Sequence, residues 1–351
     1  MWYNSNNERV FEKKRTRKAK KIMKRKTILS LTSLLLGATL FSACTDTNYK
    51  VAFDDYWKYD VTIPQTAMEE TLTYKVTFDD DMGINNYSLQ YQEGTYTTKL
   101  TGSMQGDKLV YTYETELAIN AIYQLDATQS EPLANVVKSS VTFLSAADGL
   151  KPISSHKEID NYSPVNISEA TKVEDCYKRY RYTLDVTYDE TKVTAVVTNE
   201  ALKETAEGYT PSTHETTIDN SKYSYLDNEQ VLLALRGVNP TTTASPSLLV
   251  YAPFSKAVQT LKASYSTSAT AGDFTFEMDG ETAKRNIAYY TVTLGIDAND
   301  SGRAQTVQIA KVTNAKANDY RNVILKYEAP VAFNLGTLVY ELQSAKFISK
   351  Q

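Results

Sequence analysis

The chain has 351 residues and carries 38 Lys and Arg against 42 Asp and Glu, a formal charge of −4. The balance is uneven: residues 1–43 hold eleven Lys/Arg and two Asp/Glu, so residues 44–351 keep 27 basic and 40 acidic side chains, a net −13. An acidic body argues against nucleic acid as a partner and against lying flat on an anionic membrane.

The amino end has the layout of an export signal. Lys24, Arg25 and Lys26 follow Met23, and a 14-residue apolar run from Ile28 to Phe41 leads into Ser42-Ala43-Cys44. A spanning helix needs about 20 apolar residues, so this run is too short to stay in a bilayer, whereas it suits the core of a signal peptide. Small residues before a Cys mark a bacterial lipoprotein, although Phe41 stands where an aliphatic residue is commoner. The expected organisation is therefore residues 1–22 as upstream sequence translated in error and 23–43 as a cleaved lipoprotein signal. Residues 44–60 are then a tether lipidated on Cys44. Two acyl chains bury enough hydrocarbon for stable anchoring. The expected location is the outer face of the cell membrane or the outer membrane, with the membrane as a partner through Cys44. Cys176 is then left without a disulfide partner and reads as a buried or free thiol.

The next segments favour strands. Tyr is abundant, 26 in all, and Tyr, Thr and Val suit pleated, half-buried surfaces. Apolar and polar residues alternate at Leu109, Tyr111 and Tyr113, and again at Tyr182, Leu184, Val186 and Tyr188. The same period recurs at Tyr290, Val292, Leu294 and Ile296, at Val323, Leu325 and Tyr327, and at Leu338, Tyr340 and Leu342. One apolar and one wet face per strand implies antiparallel sheet. Turn signals at Gly83, Gly94, Gly106, Asp189-Glu190, Asp279-Gly280 and Gly302 separate the runs. Residues 61–200 form a first β half, 201–222 a long polar loop, and 223–348 a helix plus a second β half.

The helix is predicted over Leu226–Val238, with Asp227 or Asn228 as its cap and Gly237 at its end. Val231, Leu232, Leu235 and Val238 make its apolar stripe, which either packs on a sheet or plugs the mouth of a curved one. The fold class is mainly β: a large curved antiparallel sheet or half-open β-barrel with this one short helix.

Catalytic signatures are sparse. There are two histidines, His156 and His214, both in polar surroundings. No C-x-x-C, H-E-x-x-H, G-x-S-x-G or phosphate-binding Gly-rich loop occurs. Asp297-Ala-Asn-Asp-Ser-Gly302 looks like half a calcium loop, but Gln308 stands where the bidentate Glu belongs, so a hairpin turn is the better reading. No metal, cofactor or catalytic residue is expected.

Three stretches carry a resemblance. VTFLSAADGLKPISSHKEI (Val141–Ile159) has a strand, a Gly-Leu-Lys-Pro turn and a strand. YSYLDNEQVLLALRGVN (Tyr223–Asn239) has an Asp followed by a short helix ending in Leu-Arg. YYTVTLGI (Tyr289–Ile296), VQIAKV (Val307–Val312) and GTLVYELQ (Gly336–Gln343) form closing hairpins. In this order, over roughly residues 70–347, the chain resembles exported β-proteins of the domain-of-unknown-function 3108 family. It departs from them by the polar insert at 201–222 and by its Tyr-rich first half. The resemblance implies a strongly curved sheet or half-open barrel with a helix beside it, able to enclose an apolar cavity, and it brings no catalytic residue.

The expected function is an anchored, non-enzymatic protein outside the cytoplasm that binds an apolar or amphipathic envelope ligand, such as a lipid. Tyr111, Tyr113, Leu184, Val186, Leu232 and Leu235 would face that ligand. The second reading is a glycan or cell-wall binder that stacks exposed Trp57, Tyr91, Tyr96 and Tyr111 on sugar faces.

Overall fold

The computed structural model describes residues 50–57, 64–79, 87–164, 170–189, 193–201, 213–218, 224–252, 257–295, 304–311, 321–331 and 335–349. The signal segment, Cys44 and the turn at 297–302 lie outside the described residues.

Strands dominate. In chain order they are β1 (Met68–Asp79), β2 (Tyr87–Tyr91), β3 (Gly94–Gln105), β4 (Lys108–Leu125), β5 (Thr128–Gln129), β6 (Leu133–Leu144), β7 (Pro152–Pro164), β8 (Tyr177–Tyr188) and β9 (Val193–Ala201). There follow β10 (Thr213–Ile218), β11 (Tyr225–Asp227), β12 (Ser247–Ala252), β13 (Ala257–Tyr265), β14 (Thr270–Met278), β15 (Glu281–Gly295), β16 (Gln305–Ala310), β17 (Ile324–Pro330) and β18 (Thr337–Ser349). Among the described residues one α-helix, α1 (Val231–Arg236), follows a 3-10 turn over Asn228–Gln230.

All strands belong to one curved, barrel-like sheet. Its main ladder runs β10-β9-β8-β7-β6-β4-β3-β1-β18-β17-β16-β15-β13-β12-β11. β4 is long enough to pair with β2 and β3 in succession along one edge, and with β5 and β6 along the other. The ends of the ladder approach each other where Thr216 of β10 meets the hydroxyl of Tyr251 on β12.

The alternation read from the sequence sets the inside and the outside. Tyr182, Leu184, Val186 and Tyr188 are buried along β8 while Asp185 and Thr187 face solvent. Tyr111, Tyr113, Leu117 and Ile119 do the same on β4, and Leu338, Tyr340 and Leu342 on β18. The inward residues merge into a single core. The Asp279-Gly280 turn closes the β14–β15 hairpin with φ of 50° and 90°, the left-handed pair that a two-residue hairpin loop requires.

The two β halves belong to one sheet, as the single large sheet predicts, because β1 pairs along its length with β18, the last strand. Three expectations need correction. The polar loop expected at 201–222 contains strand β10, whose Thr-rich THETTI backbone pairs with β9, so a polar sequence here is a strand with β-branched residues. The tether expected at 44–60 is structured from Val51. Val51, Phe53 and Trp57 are buried, Val51 N–H donates to Ser224 Oγ at 2.8 Å, and Asp54 N–H donates to Gly237 O at 2.7 Å. The helix is shorter than Leu226–Val238, since Tyr225–Asp227 are held in a parallel pairing with Leu249–Tyr251 before the helical turns begin. That pairing and a short β14–β18 contact are parallel exceptions to the expected antiparallel pattern.

Cys176 is a buried free thiol, and its pKa is raised by burial first and then by Asp175 and Glu174. In a Cys44→Ser chain it is the sole thiol, so a thiol-reactive dye is expected to leave the folded protein unlabelled and to label it stoichiometrically in urea. Rapid labelling of the folded form would contradict the burial.

Candidate functional site

The interior is organised around α1. Every residue of Val231–Arg236 is buried, so the helix is enclosed on all sides rather than laid on a sheet face. A helix apolar all round belongs inside a core, and Val231–Leu235 has that composition, with Arg236 the one charged residue.

Charged groups hold both ends of this segment. Asp227, with no solvent exposure, accepts from Ser155 Oγ at 2.6 Å, from the Tyr188 hydroxyl, and at Oδ1 from Glu229 N–H at 2.9 Å. Gln230 completes a capping box, accepting from Asp227 N–H at 3.0 Å and donating to Leu150 O at 2.7 Å. Lys157, equally buried, reaches in from β7, donating to Asn228 Oδ1 and to Glu229 Oε1, the latter at 3.0 Å, and lies 3.8 Å from Asp227 Oδ1.

At the other end Arg236 makes a two-pronged pair with Glu70 of β1, 2.6 and 2.8 Å, and donates to the carbonyls of Arg321 and Asn322. Asn322 Nδ2 returns a bond to Arg236 O at 2.9 Å. Burial alone would lower the pKa of Arg236, but the charge and hydrogen bonds of Glu70 reverse this and raise it, so the guanidinium stays charged.

Tyrosines line the space around the helix. Tyr74, Tyr96, Tyr340 and Tyr327 form a run with centroid spacings of 5.8, 5.4 and 5.1 Å. Burial pushes the pKa of each upward, so these phenols remain neutral. Tyr327 donates to Gln305 Oε1 at 3.0 Å and Tyr265 to Leu235 O at 2.6 Å. The buried hydroxyls of Tyr87 and Tyr91 have no hydrogen-bond partner among the described residues. The wall is therefore amphipathic, with apolar rings carrying polar tips.

The six residues expected to face a ligand, Tyr111, Tyr113, Leu184, Val186, Leu232 and Leu235, all point inward and all are core. Leu232 and Leu235 belong to the helix that fills the interior, and the others belong to its walls. The four aromatics expected to be exposed for sugar stacking are not: Trp57, Tyr91 and Tyr111 are buried, Tyr96 is half-buried, and Tyr91 packs against Phe78 at 5.2 Å. Their strands turn these rings inward. Among the described residues the exposed large hydrophobics are Met104 and Ile348, which do not form an aromatic row.

Sequence reasoning found Asp227 as a cap, which the structure bears out, but missed the rest of the polar half of the interior, namely Ser155, Lys157, Glu229, Arg236 and Glu70. The signal was available: on β7 Ser155, Lys157, Ile159, Asn161 and Ser163 share one face, and a face mixing apolar and polar residues looks like neither side of a sheet. Among the described residues no group of His, Cys, Asp and Glu is placed to hold a metal ion, and no helix is long and apolar enough to cross a membrane.

A cleft of about 20 Å³ lies beside the interior, under the amino-terminal strap. Trp57, Gln65, Met68, Glu69, Glu70, Leu100, Thr101, Gly102, Tyr111 and Arg321 line it. Two of the four aromatics expected to bind sugar, Trp57 and Tyr111, thus meet here, edge to face at 5.9 Å.

No family model matches the chain, and no curated protein matches it. Among solved structures it is similar to the crystal structure of a β-barrel-like protein of domain of unknown function DUF1849 from Brucella abortus. The two are 12% identical with a TM-score of 0.45 over 82% of this chain and 100% of that one.

Replacing Glu70 by Gln leaves the Arg236 guanidinium buried without its counter-charge, and the expected loss is about 3–5 kcal/mol in urea unfolding. The double replacement Glu70→Met/Arg236→Met is expected to regain most of that loss. A Glu70→Gln loss as small as that of an exposed pair would show the contact to be incidental.

On the outer face, His156 Nδ1 lies 2.7 Å from Asp185 Oδ1. The Asp185 hydrogen bond raises the His156 pKa above 6.5, partly opposed by burial, with further contributions from the Asp185 charge and Glu158. A raised folded-state pKa favours folding at pH below 6.5, and the gain disappears as pH rises through the folded value. NMR titration of Asp185→Asn is expected to move the His156 midpoint down toward 6.5. An unchanged midpoint would remove Asp185 as the cause.

Proposed function

We propose that this chain is an exported, lipid-anchored protein that works by binding rather than catalysis, and that its ligand is an amphipathic envelope component. The observation that carries the reading is KRKTILSLTSLLLGATLFSAC, a basic start, a short apolar run and a Cys after small residues, standing directly before a folded body that begins at Val51. The family resemblance, exported and β-rich, is part of the same proposal.

The geometry gives the anchor a mechanical consequence. Six residues separate Cys44 from Val51 and span about 20 Å at full extension. Val51 is bonded to Ser224, just ahead of the helix-bearing segment, and Asp54 to Gly237, just behind it. An acyl chain on Cys44 would therefore hold the strap end of the barrel-like body close to the bilayer.

The wall supports an amphipathic ligand rather than a purely apolar one. Leu184, Val186 and the tyrosine rings supply apolar surface, while unpartnered phenol hydroxyls supply polar contacts. Because α1 fills the interior, uptake of a chain-like ligand would need the helix to yield. The Asp227 and Arg236 networks at its ends then set the cost of doing so.

Two measurements test the reading. Radiolabelled palmitate is expected on the wild-type chain and absent from Cys44→Ser, which should leave the membrane fraction. Full-length protein, detergent-extracted and then desalted into native mass spectrometry, is expected to carry a bound lipid-sized adduct. Palmitate-free wild type would remove the anchor, and a bare protein that takes up no fluorescent fatty acid would remove the ligand.

A further inference from the structure

Lys157 carries a primary amine with no solvent exposure, and its surroundings are not those of a plain ion pair. It donates to Asn228 Oδ1 and, at 3.0 Å, to Glu229 Oε1. The same carboxylate oxygen accepts from Asn228 Nδ2 at 2.9 Å. An ammonium only donates and a carboxylate only accepts, so the Asn228 carboxamide has one orientation, its oxygen toward the amine and its nitrogen toward the acid. Asp227, 3.8 Å from the amine, is already engaged by Ser155, Tyr188 and the Glu229 N–H. Three groups able to react with one another thus close a triangle: a nucleophile, an acyl carbon bearing a leaving nitrogen, and a carboxylate bonded to both.

Both reacting side chains stand on fixed elements. Lys157 lies in the middle of β7, paired with Ser139 of β6 and Leu184 of β8. Asn228 opens the 3-10 turn that the Asp227–Gln230 capping box holds in place. Such placement replaces a chance encounter by a held geometry, which is the main advantage of an intramolecular reaction. Oδ1 is joined to Cγ by a bond of ~1.2 Å, so a nitrogen resting on Oδ1 needs a shift of about that length to come over Cγ. Burial of Lys157 and Asn228 keeps water from competing as the nucleophile. The Glu229 side chain is 11% exposed and marks the way out for a small leaving group.

We infer that Lys157 and Asn228 condense to an intramolecular isopeptide bond, with Glu229 carrying the protons. Glu229 takes one proton from the Lys157 ammonium along their hydrogen bond. The free amine then attacks Asn228 Cγ, and Nζ–Cγ forms as Cγ–Nδ2 breaks. The electron pair of the broken bond leaves on Nδ2, and Glu229 delivers its proton there. Glu229 then removes a second proton from Nζ and passes it to the departing ammonia, so a Lys ammonium and an Asn carboxamide become a secondary amide and an ammonium ion. Nothing is oxidised or reduced, and no co-reactant is needed. The bond closes a loop across 71 positions and ties β7 to the amino end of α1. The carboxyl end, held by Glu70 and Arg236, is then the end that can yield. The inference goes beyond the anchored-binding reading and stands without it, since it involves neither Cys44 nor a ligand.

The test is a tryptic digest of the full-length wild-type protein, read by tandem mass spectrometry. The expected product is Ser139–Lys172 joined to Tyr223–Arg236, uncut after Lys157 and lighter than the two peptides together by one ammonia. Glu229→Gln, which keeps the side-chain shape and removes the proton carrier, is expected to give the separate peptides. Lys157→Met is expected to do the same, and both variants to unfold at a lower temperature than wild type. A wild-type digest cut after Lys157, with both peptides at their sequence masses, overturns the bond whether or not either variant folds. Loss of one water in place of ammonia would put the link on Asp227 or Glu229 and remove Asn228 as the acyl donor. A folded Glu229→Gln chain joined as completely as wild type would show that Glu229 carries no proton in the reaction.

Discussion

The enclosure of a charged-ended helix within a closed-in sheet is the constraint on which the rest of this structure depends. α1 has no solvent face, so its terminal backbone groups and its charged neighbours must be satisfied from the wall. Asp227 and Gln230 serve the amino end, with Ser155, Tyr188 and Lys157 arriving from β7 and β8. Glu70 of β1 and the carbonyls of Arg321 and Asn322 serve the carboxyl end. Strands from opposite parts of the ladder are thereby pinned to one short segment. Buried ion pairs add little stability compared with apolar substitutes, but a misplaced strand would leave one of these charges unpaired at high cost. The network therefore selects one register and one placement of the helix.

The amino-terminal strap extends the same logic. It grips the helix-bearing segment on both sides, through Ser224 and through Gly237, and its Trp57 enters the core. A segment of a few residues cannot bury enough surface to order itself, so its order comes from the body on which it lies. Any force or tether acting ahead of Val51 is transmitted first to the two ends of the enclosed helix.

The fold class was legible because alternation is a local signal. Tyr182-Leu184-Val186-Tyr188 and Leu338-Tyr340-Leu342 show their inward face within a few residues. Asp279-Gly280 could be read as a hairpin because two left-handed residues in sequence have few other uses. What escaped reading was non-local. The pairing of β1 with β18 joins residues more than two hundred positions apart, and nothing in either strand names the other. THETTI reads as a loop by the polarity of its side chains, although β-branched Thr supports a strand. Trp57 and Tyr111 were singled out as binding aromatics, but expected on the surface. Periodicity places a ring on a face without saying whether that face is covered. Gln65 carried no signal, since a carboxamide becomes informative only once its neighbours fail to satisfy it.

The tyrosine content ties these points together. A barrel interior packed with leucine would exclude polar ligands and could not accommodate Lys157, Asp227 or Arg236. One packed with serine and asparagine could not cover the helix. Tyrosine fills volume as an aromatic and presents an oxygen at its tip, so the same residue type can pack in the core and supply Asp227 or a main-chain carbonyl with a donor. Tyr188 and Tyr265 use that donor internally, whereas Tyr111 at the cleft leaves it unspent. The difference between a phenol that closes a network and one that waits for a partner is set by what stands opposite it.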